Sequence, residues 1–399
     1  MKKTIYVCGP TVYNDPHIGN LKPIIIFDIY IKSLKSLGYK VNFIHNITDI
    51  DDKIISKSIE ENKTEKEISD KYTKLYKDLL KQSNVDKPSW MPSVIENMPL
   101  IINFINSLIK LGFAYISNGN VYFSISKDSK YGYISNRKIE DMIFEDFSEN
   151  KENKEDFALW KKTDIGITFD SPWGKGRPGW HTECAAFINK IGKLDIHGGG
   201  SDLIFPHNEN EASQFRVLNK CEITKEWKHI GQININNIKM SKSLGNIINA
   251  QDFFKKYGSN TLRLLFLISS PTKPFNINED IIIEANTKMK FFLKKAKQAQ
   301  LNSKIEVKNN TIAKYIKNWN FSKAIELLNK NSKLVNLNSD NKINQEFLAN
   351  LKVLGLINKE NEISIKEKEI FNKWEHLKSK KMYKEADLIR EKLIKIGFL

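Results

Sequence analysis

At 399 residues, with the apolar content of an ordinary soluble protein, the chain is too long for one ordinary domain and offers material for two or three cores. No apolar run approaches transmembrane length, and three widely spaced cysteines argue against a disulfide framework and for a reducing cytoplasm. The formal charge of +16 points to a polyanionic partner, yet nearly all the cations are Lys in a chain crowded with Ile and Asn, and a biased composition alone gives the same excess.

Met1-Lys2-Lys3-Thr4-Ile5-Tyr6 enters a strand directly, so no signal peptide is expected. Residues 3 to 8 read as a buried parallel strand that ends in a turn. A helix over 20–37 follows, with Pro23 suited to its first turn and Gly38 as its stop. Val41 to Ile44 is the next strand, which makes a parallel crossover whose ligand crevice lies beyond the strand ends, where Cys8 and His45 fall. Helices are predicted over Asp51–Glu61, Thr64–Gln82 and Ser93–Leu111, with Thr64 and Glu67 as a capping box and Gly112 as the last stop. Ala114 to Ile125 reads as a hairpin turning at Asn118-Gly119, and residues 113–172 as an insertion containing a charged loop at Glu149–Glu155. Leu194 to Ile196 is strand-like and leads into a glycine turn, His197-Gly198-Gly199-Gly200-Ser201-Asp202. Beyond Asn246 the text is helical and Lys-rich, with amphipathic stretches at 284–300, 312–335 and 343–354 and a closing pair at 366–379 and 382–396.

Two separated stretches carry the chemistry. In Cys8-Gly9-Pro10-Thr11-Val12-Tyr13-Asn14-Asp15-Pro16-His17-Ile18-Gly19-Asn20, a strand–turn–helix entry aims backbone N–H groups at an anion, and His17 stands two residues before a glycine that permits close backbone approach. Lys239-Met240-Ser241-Lys242-Ser243 places two lysines three apart on a Ser-rich loop, suited to neutralising a departing pyrophosphate.

These stretches resemble the two signatures of class I aminoacyl-tRNA synthetases. Four further runs, at Asn46–Lys53, Gly176–Cys184, His197–Asp202 and Lys384–Arg390, are similar to the cysteinyl-tRNA synthetase family. The resemblance is strong from residue 3 to about 270 and weaker beyond. It implies an α/β architecture: a Rossmann-type doubly wound parallel sheet split by an insertion and followed by an all-α C-terminal region. The expected units are 1–112 and 173–250 as the halves of the catalytic domain and 113–172 as the insertion. Residues 251–300 would be a junction, 301–360 a helical tRNA-facing domain and 361–399 a small, shortened closing domain.

The resemblance also assigns roles. Cys8, Cys184, His207 and Glu211 fall where the family binds one Zn²⁺. His207 and Glu211 are four apart in a stretch, Phe205 to Leu218, whose Pro206 suits a first helical turn, so both would project from one face. Zinc among thiolates prefers the thiolate of substrate cysteine to the isosteric hydroxyl of serine, a distinction that pocket shape makes poorly, so no editing domain is expected. His17, Asn20, Lys239 and Lys242 would serve the ATP phosphates with Mg²⁺; many relatives carry a second His at the place of Asn20, whose amide can donate but holds no charge. Gly9, Thr11, Gly19, His197, Gly198, Gly199 and Asp202 would hold ATP, and Trp180, His181, Thr48 and Asp49 would line the amino-acid pocket.

The implied function is a cysteine–tRNA ligase acting on L-cysteine, ATP and tRNA(Cys), cytoplasmic, monomeric and away from membranes. Two rivals share the chemistry or the fold: a cysteine ligase acting on an amino sugar in mycothiol synthesis, and a non-catalytic tRNA-binding paralogue. Where the family carries a Tyr-Arg-Ser-Pro run, this chain has Ser270-Pro271-Thr272-Lys273-Pro274, and an acidic run has become Asn318-Trp319-Asn320-Phe321-Ser322. These departures, with the early stop at Leu399, point to weakened anticodon recognition.

Overall fold

The structure is a computed structural model that describes residues 1–142, 149–241, 244–303, 310–337 and 339–399. Strand β1 (Lys2–Val7), helix α1 (Ile18–Ser36) and β2 (Lys40–His45) form the first crossover, followed by α2 (Asp52–Glu61), α3 (Glu65–Gln82) and α4 (Met98–Lys110). The capping box at Thr64 and Glu67 is present, and Gly112 closes α4 with φ of 76°.

A four-stranded antiparallel sheet of β3 (Ala114–Ser117), β4 (Asn120–Phe123), β5 (Phe157–Lys162) and β6 (Gly176–Pro178) interrupts the parallel layer. Its hairpin turns at Asn118 and Gly119, both with positive φ. The last strand lies beyond residue 172, because β6 pairs with β5 before the chain returns to the parallel layer.

That layer resumes with α5 (Thr182–Ile191), β7 (Leu194–Gly200), α6 (Glu209–Asn219) and β8 (Thr224–Ile230). Its order is β2-β1-β7-β8, all parallel, so the direction of chain progression reverses between β1 and β7, where such sheets hold ligands. Alternation along β1 sends Ile5 and Val7 to one face, with Phe27 of α1 and Ile196, and Tyr6 and Cys8 to the other, with Cys184 and Phe187 of α5.

Short strands β9 (Ile233–Ile235) and β10 (Ile238–Lys239) follow, then α7 (Ala250–Tyr257), α8 (Ser259–Leu267) and β11 (Phe275–Ile277), which pairs with β9. The remaining helices are α9 (Glu279–Asn302), α10 (Thr311–Lys317), α11 (Phe321–Leu334), α12 (Asn341–Val353), α13 (Ile365–Ser379) and α14 (Tyr383–Lys395). Helices α8 to α12 share one continuous core with α1, whereas α13 and α14 close a small core of their own around Phe371, Trp374, Leu393 and Phe398.

One polar knot ties these layers. Arg263 on α8 is fully buried and donates to the carbonyls of Leu354 at 2.8 Å and Ser83 at 2.7 Å and to the Asp28 carboxylate of α1. The other Asp28 oxygen accepts from Lys32 at 2.6 Å and from the Asp86 N–H at 2.7 Å. Burial lowers the Arg263 pKa to about 9.

Three local expectations are corrected. Gly198 and Gly199 lie inside β7 and not in a turn: a Cβ at Gly198 would sit 2.0 Å from the Phe27 ring, so the glycine lets α1 lie close on the sheet. The 312–335 stretch is two helices, broken where Trp319 takes φ of 56°, stacks its ring on Tyr30 and leaves Asn320 to cap α11. The 93–111 helix begins only at Met98, after a tight turn at Ile95–Asn97. Pro206 does stand in a first helical turn: Phe205 is extended at a kink, and from Pro206 the backbone is helical and runs straight on into α6, carrying His207 and Glu211.

Candidate active site and metal centre

The turn after β1 is built by close backbone approach. A Cβ at Gly9 would lie 1.6 Å from the Asn46 carbonyl oxygen, and the Asn46 side chain accepts the Gly9 N–H at 2.8 Å. Thr48 holds the same turn through its backbone, donating to Pro10 O and accepting from Val12 N. Farther along, the Ile18 N–H donates to Ile248 O and the Ala250 N–H to Pro16 O, both at 3.0 Å, so the two signature regions are stitched to each other. Gly19 completes the junction, since a Cβ there would meet the Met240 methyl at 2.7 Å.

A cleft of about 520 Å³ opens at this junction. Cys8, Gly9, Thr11, His17, Gly19 and Asn20 line one side. Trp180, Gly200, Asp202 and Lys239 line the others. Asn20 Oδ1 accepts the His17 N–H at 3.0 Å, which fixes the amide and leaves Nδ2 as the end able to donate. Lys242 lies outside the described residues, but Asn246 ties the flanks of its loop, accepting from Ser241 N at 2.9 Å and donating to Lys239 O at 3.2 Å.

Other expected residues stand elsewhere. Thr48 is buried and donates to Glu183 at 3.4 Å, behind the cleft wall. Asp49 accepts from the N–H groups of Val94 and Ile95, a cap for the turn before α4. His197, Gly198 and Gly199 form the strand beneath the floor and not the floor itself. His181 sits beside the metal-side residues, its ring 6.4 Å from that of His207 and edge-on to Phe157.

Cys8, Cys184, His207 and Glu211 converge, each buried, with ligand atoms all within 4.8 Å of one another. Strand parity delivers Cys8, the first turn of α5 delivers Cys184, and the helical turn leading into α6 and the first turn of α6 deliver His207 and Glu211. His207 Nε2 lies 2.5 Å from Glu211 Oε1 yet makes no aligned hydrogen bond, nor does Nδ1, so the groups aim at a common point rather than at each other. Two sulfurs, an imidazole nitrogen and a carboxylate oxygen at this spacing fit a tetrahedral Zn²⁺. The electrostatics agree. Burial opposes charge on Cys184, but the neighbouring Cys8 and His207 bring its thiol down to about 6, while burial and its neighbours Cys184 and Glu211 push Cys8 up. Despite burial, His207 and His197 hold the Glu211 carboxyl well below the usual range, His197 Nε2 at 2.6 Å.

Sequence reasoning placed His45 at the crevice without giving it a role, and it missed Glu183. His45 lines the cleft, with Nδ1 donating to Val7 O and Nε2 accepting from Tyr76, both at 2.8 Å; burial lowers it to about 4, so it is neutral. Glu183 is buried beside Cys184, and burial pushes its carboxyl well above the usual range. Neither carries a local pattern that marks it; only the strand ends and the neighbouring cysteine do.

Under the floor, Lys22 of α1 is buried and donates to the Gly231 carbonyl at 2.7 Å; burial lowers its pKa from 10.5 to about 8. Between those values the unfolded chain holds the proton and the folded chain does not, so this group makes stability rise with pH in that window. In urea unfolding at stepped pH, Lys22→Met removes a slope approaching about 1.4 kcal/mol per pH unit. Parallel curves for the two proteins contradict that assignment.

With this geometry in hand, the comparisons are informative. A family model described as the tRNA synthetases class I (C) catalytic domain matches residues 1–287. The chain is 42% identical to the cysteine–tRNA ligase of Mycoplasma mycoides subsp. mycoides SC over 100% of its own length and 97% of that protein's. It is 44% identical to the cysteine–tRNA ligase of Mesoplasma florum, covering 99% and 96%. Among solved structures it is similar to Mycobacterium tuberculosis methionyl-tRNA synthetase in complex with methionyl-adenylate, with TM-score 0.62, 11% identity and coverage of 89% and 90%. At that identity the likeness concerns the fold alone.

Proposed function

Because the chain belongs to the cysteine–tRNA ligase family, we propose that the cleft between β1 and β7 and the four-residue metal group beside it carry out that family's reaction. The protein is an ATP-dependent ligase that activates L-cysteine to cysteinyl-adenylate, releases pyrophosphate and transfers cysteine to the 3′-terminal ribose of tRNA(Cys). The relatives matched end to end carry the ligase name, and nothing favours a sugar acceptor or a silent paralogue.

In the first step a carboxylate oxygen of cysteine attacks the α-phosphorus in line as the bond to the bridging oxygen of pyrophosphate breaks. The chain's part is positioning and charge stabilisation. His17 meets the α-phosphate, Lys239 and Lys242 neutralise the β- and γ-phosphates, and Asn20 donates from its fixed amide. Gly9, Thr11 and Gly19 allow the nucleotide close to the backbone, Asp202 holds ribose or the substrate ammonium, and Trp180, with 41% of its surface exposed, walls the amino acid. Mg²⁺ accompanies ATP.

Cys8, Cys184, His207 and Glu211 would hold Zn²⁺, which supplies a Lewis acid that binds the sulfur of cysteine in preference to the oxygen of serine. We place the enzyme in the cytoplasm as a monomer.

The observation that supports this reading most is that Cys8 both lines the cleft and belongs to the four-donor group, so amino-acid choice and activation share a boundary. Cysteine-dependent ATP–pyrophosphate exchange and charging of a tRNA(Cys) transcript, with metal content measured on the same sample, test it. His17→Asn is expected to lower the exchange rate constant by roughly 10²- to 10³-fold, with KM for cysteine within about two-fold of the parent. A raised KM at full rate would remove His17 from the transition state.

A further inference from the structure

The inserted sheet sends a tight turn, residues 128–137, onto the back of α6. Arg137 lies with its guanidinium 5.1 Å from the ring centre of Phe205. The Ser135 N–H donates to Glu209 Oε2 at 2.8 Å. Tyr131 Oη donates to Asn210 Oδ1 at 2.5 Å, in a buried bond. Asp128 Oδ2 accepts from Ser213 Oγ at 2.7 Å and from Arg216 Nη1 at 3.0 Å, also buried. A Cβ at Gly132, which has φ of 94°, would meet Arg137 O at 2.1 Å, so the turn is held closed on itself.

These contacts bracket the metal-side residues. Phe205 and Glu209 flank His207; Asn210 and Ser213 flank Glu211. At 3.6 residues per turn, Glu209, Asn210, Ser213 and Arg216 share one face of α6, and Glu211 projects from the opposite one. Asn210 also donates from Nδ2 to the His181 ring, 3.2 Å from Nε2, and His181 is the residue before α5, which carries Cys184. The turn therefore reaches both helices that bear metal-side donors, from the side away from the cleft.

We propose that residues 128–137 brace the cysteine-selecting centre, with Tyr131 and Asp128 as positioning residues that set where His207 and Glu211 stand relative to Cys8 and Cys184. The proposal rests on the zinc reading above. Partners of this kind, one step removed from a metal, typically govern affinity by 10- to 100-fold. The contacts named above fall on Phe205, on α6 and, through Asn210, on His181, so the brace acts on the amino-acid side.

The test uses the full-length protein. Tyr131→Phe removes one hydroxyl and keeps the ring; Asp128→Asn keeps shape and removes charge. Tyr133→Phe, exposed on the same turn, is the control. Zinc affinity is measured by competition with a chelator, and KM for cysteine and ATP by pyrophosphate exchange. The expected result is zinc affinity weakened about ten-fold or more and a raised KM for cysteine in both brace variants, with KM for ATP within about two-fold and Tyr133→Phe unchanged. Zinc affinity and cysteine KM equal to the parent in whichever brace variant folds would overturn the proposal. So would an equal rise in KM for ATP, which means general loosening. A parent protein that holds no zinc would instead bring down the reading beneath it.

Discussion

Replacing Cys184 by serine is expected to lower kcat/KM for cysteine activation by roughly 10³-fold, about 4 kcal/mol of transition-state stabilisation, with loss of bound zinc and little change in KM for ATP. The side chain is fully enclosed and its thiol, at about 6, is the readier thiolate of the pair with Cys8. A serine hydroxyl stays protonated and offers zinc a poor ligand, so the remaining three donors are left buried and uncompensated. Cys221 supplies the control: it is half-buried on the turn after α6 and outside the group, so Cys221→Ser keeps both metal and rate. Exchange kinetics and metal content on the same preparations decide the matter. A Cys184→Ser protein that retains zinc and activity removes this cysteine from the centre.

The second large effect concerns stability. Asp28→Ala leaves the Arg263 guanidinium, the Lys32 ammonium and the Asp86 N–H without their common acceptor, and of these Arg263 is fully buried. Removing one partner of such a pair costs about 3–5 kcal/mol, because the surviving charge stays buried. Arg263→Met is expected to cost a similar amount. The Asp28→Leu/Arg263→Met double variant should cost clearly less than the sum of the two single changes, since neither charge then remains. Urea unfolding of the three variants reads this directly. Strict additivity would mean that the two residues contribute independently.

What the chain reveals on reading depends on whether the determinant is local. The Thr64 and Glu67 capping box, the Asn118-Gly119 hairpin and the order of strands and helices are written in neighbouring residues, and each is found in place. The four metal-side residues were legible because a motif and a family pattern marked them, and the structure brings all four together. The glycines of β7 were misread because their reason lies across the layer, in the Phe27 ring. The helical turn at Pro206 was legible because the proline rule is local, and the kink it leaves at Phe205 marks where that helix begins. Thr48 and Asp49 fit the pattern of a site, yet their side chains are spent on Glu183 and on the turn before α4. The Arg263 knot joins residues more than two hundred positions apart, beyond any short pattern.

The alternation of β1 has a consequence for how this enzyme can vary. Ile5 and Val7 belong to the layer that holds Ile18, Ile230 and Met240 beside the cleft, while Tyr6 and Cys8 belong to the layer that holds Cys184 and backs the four-residue group. Substitutions that repack the cleft side and substitutions that repack the metal side are thus expected on opposite sides of a single strand, with Cys8 at its end the point where the two meet. A one-residue deletion within that strand would exchange the two sides at a stroke, so its length is under a constraint that no side chain in it reveals.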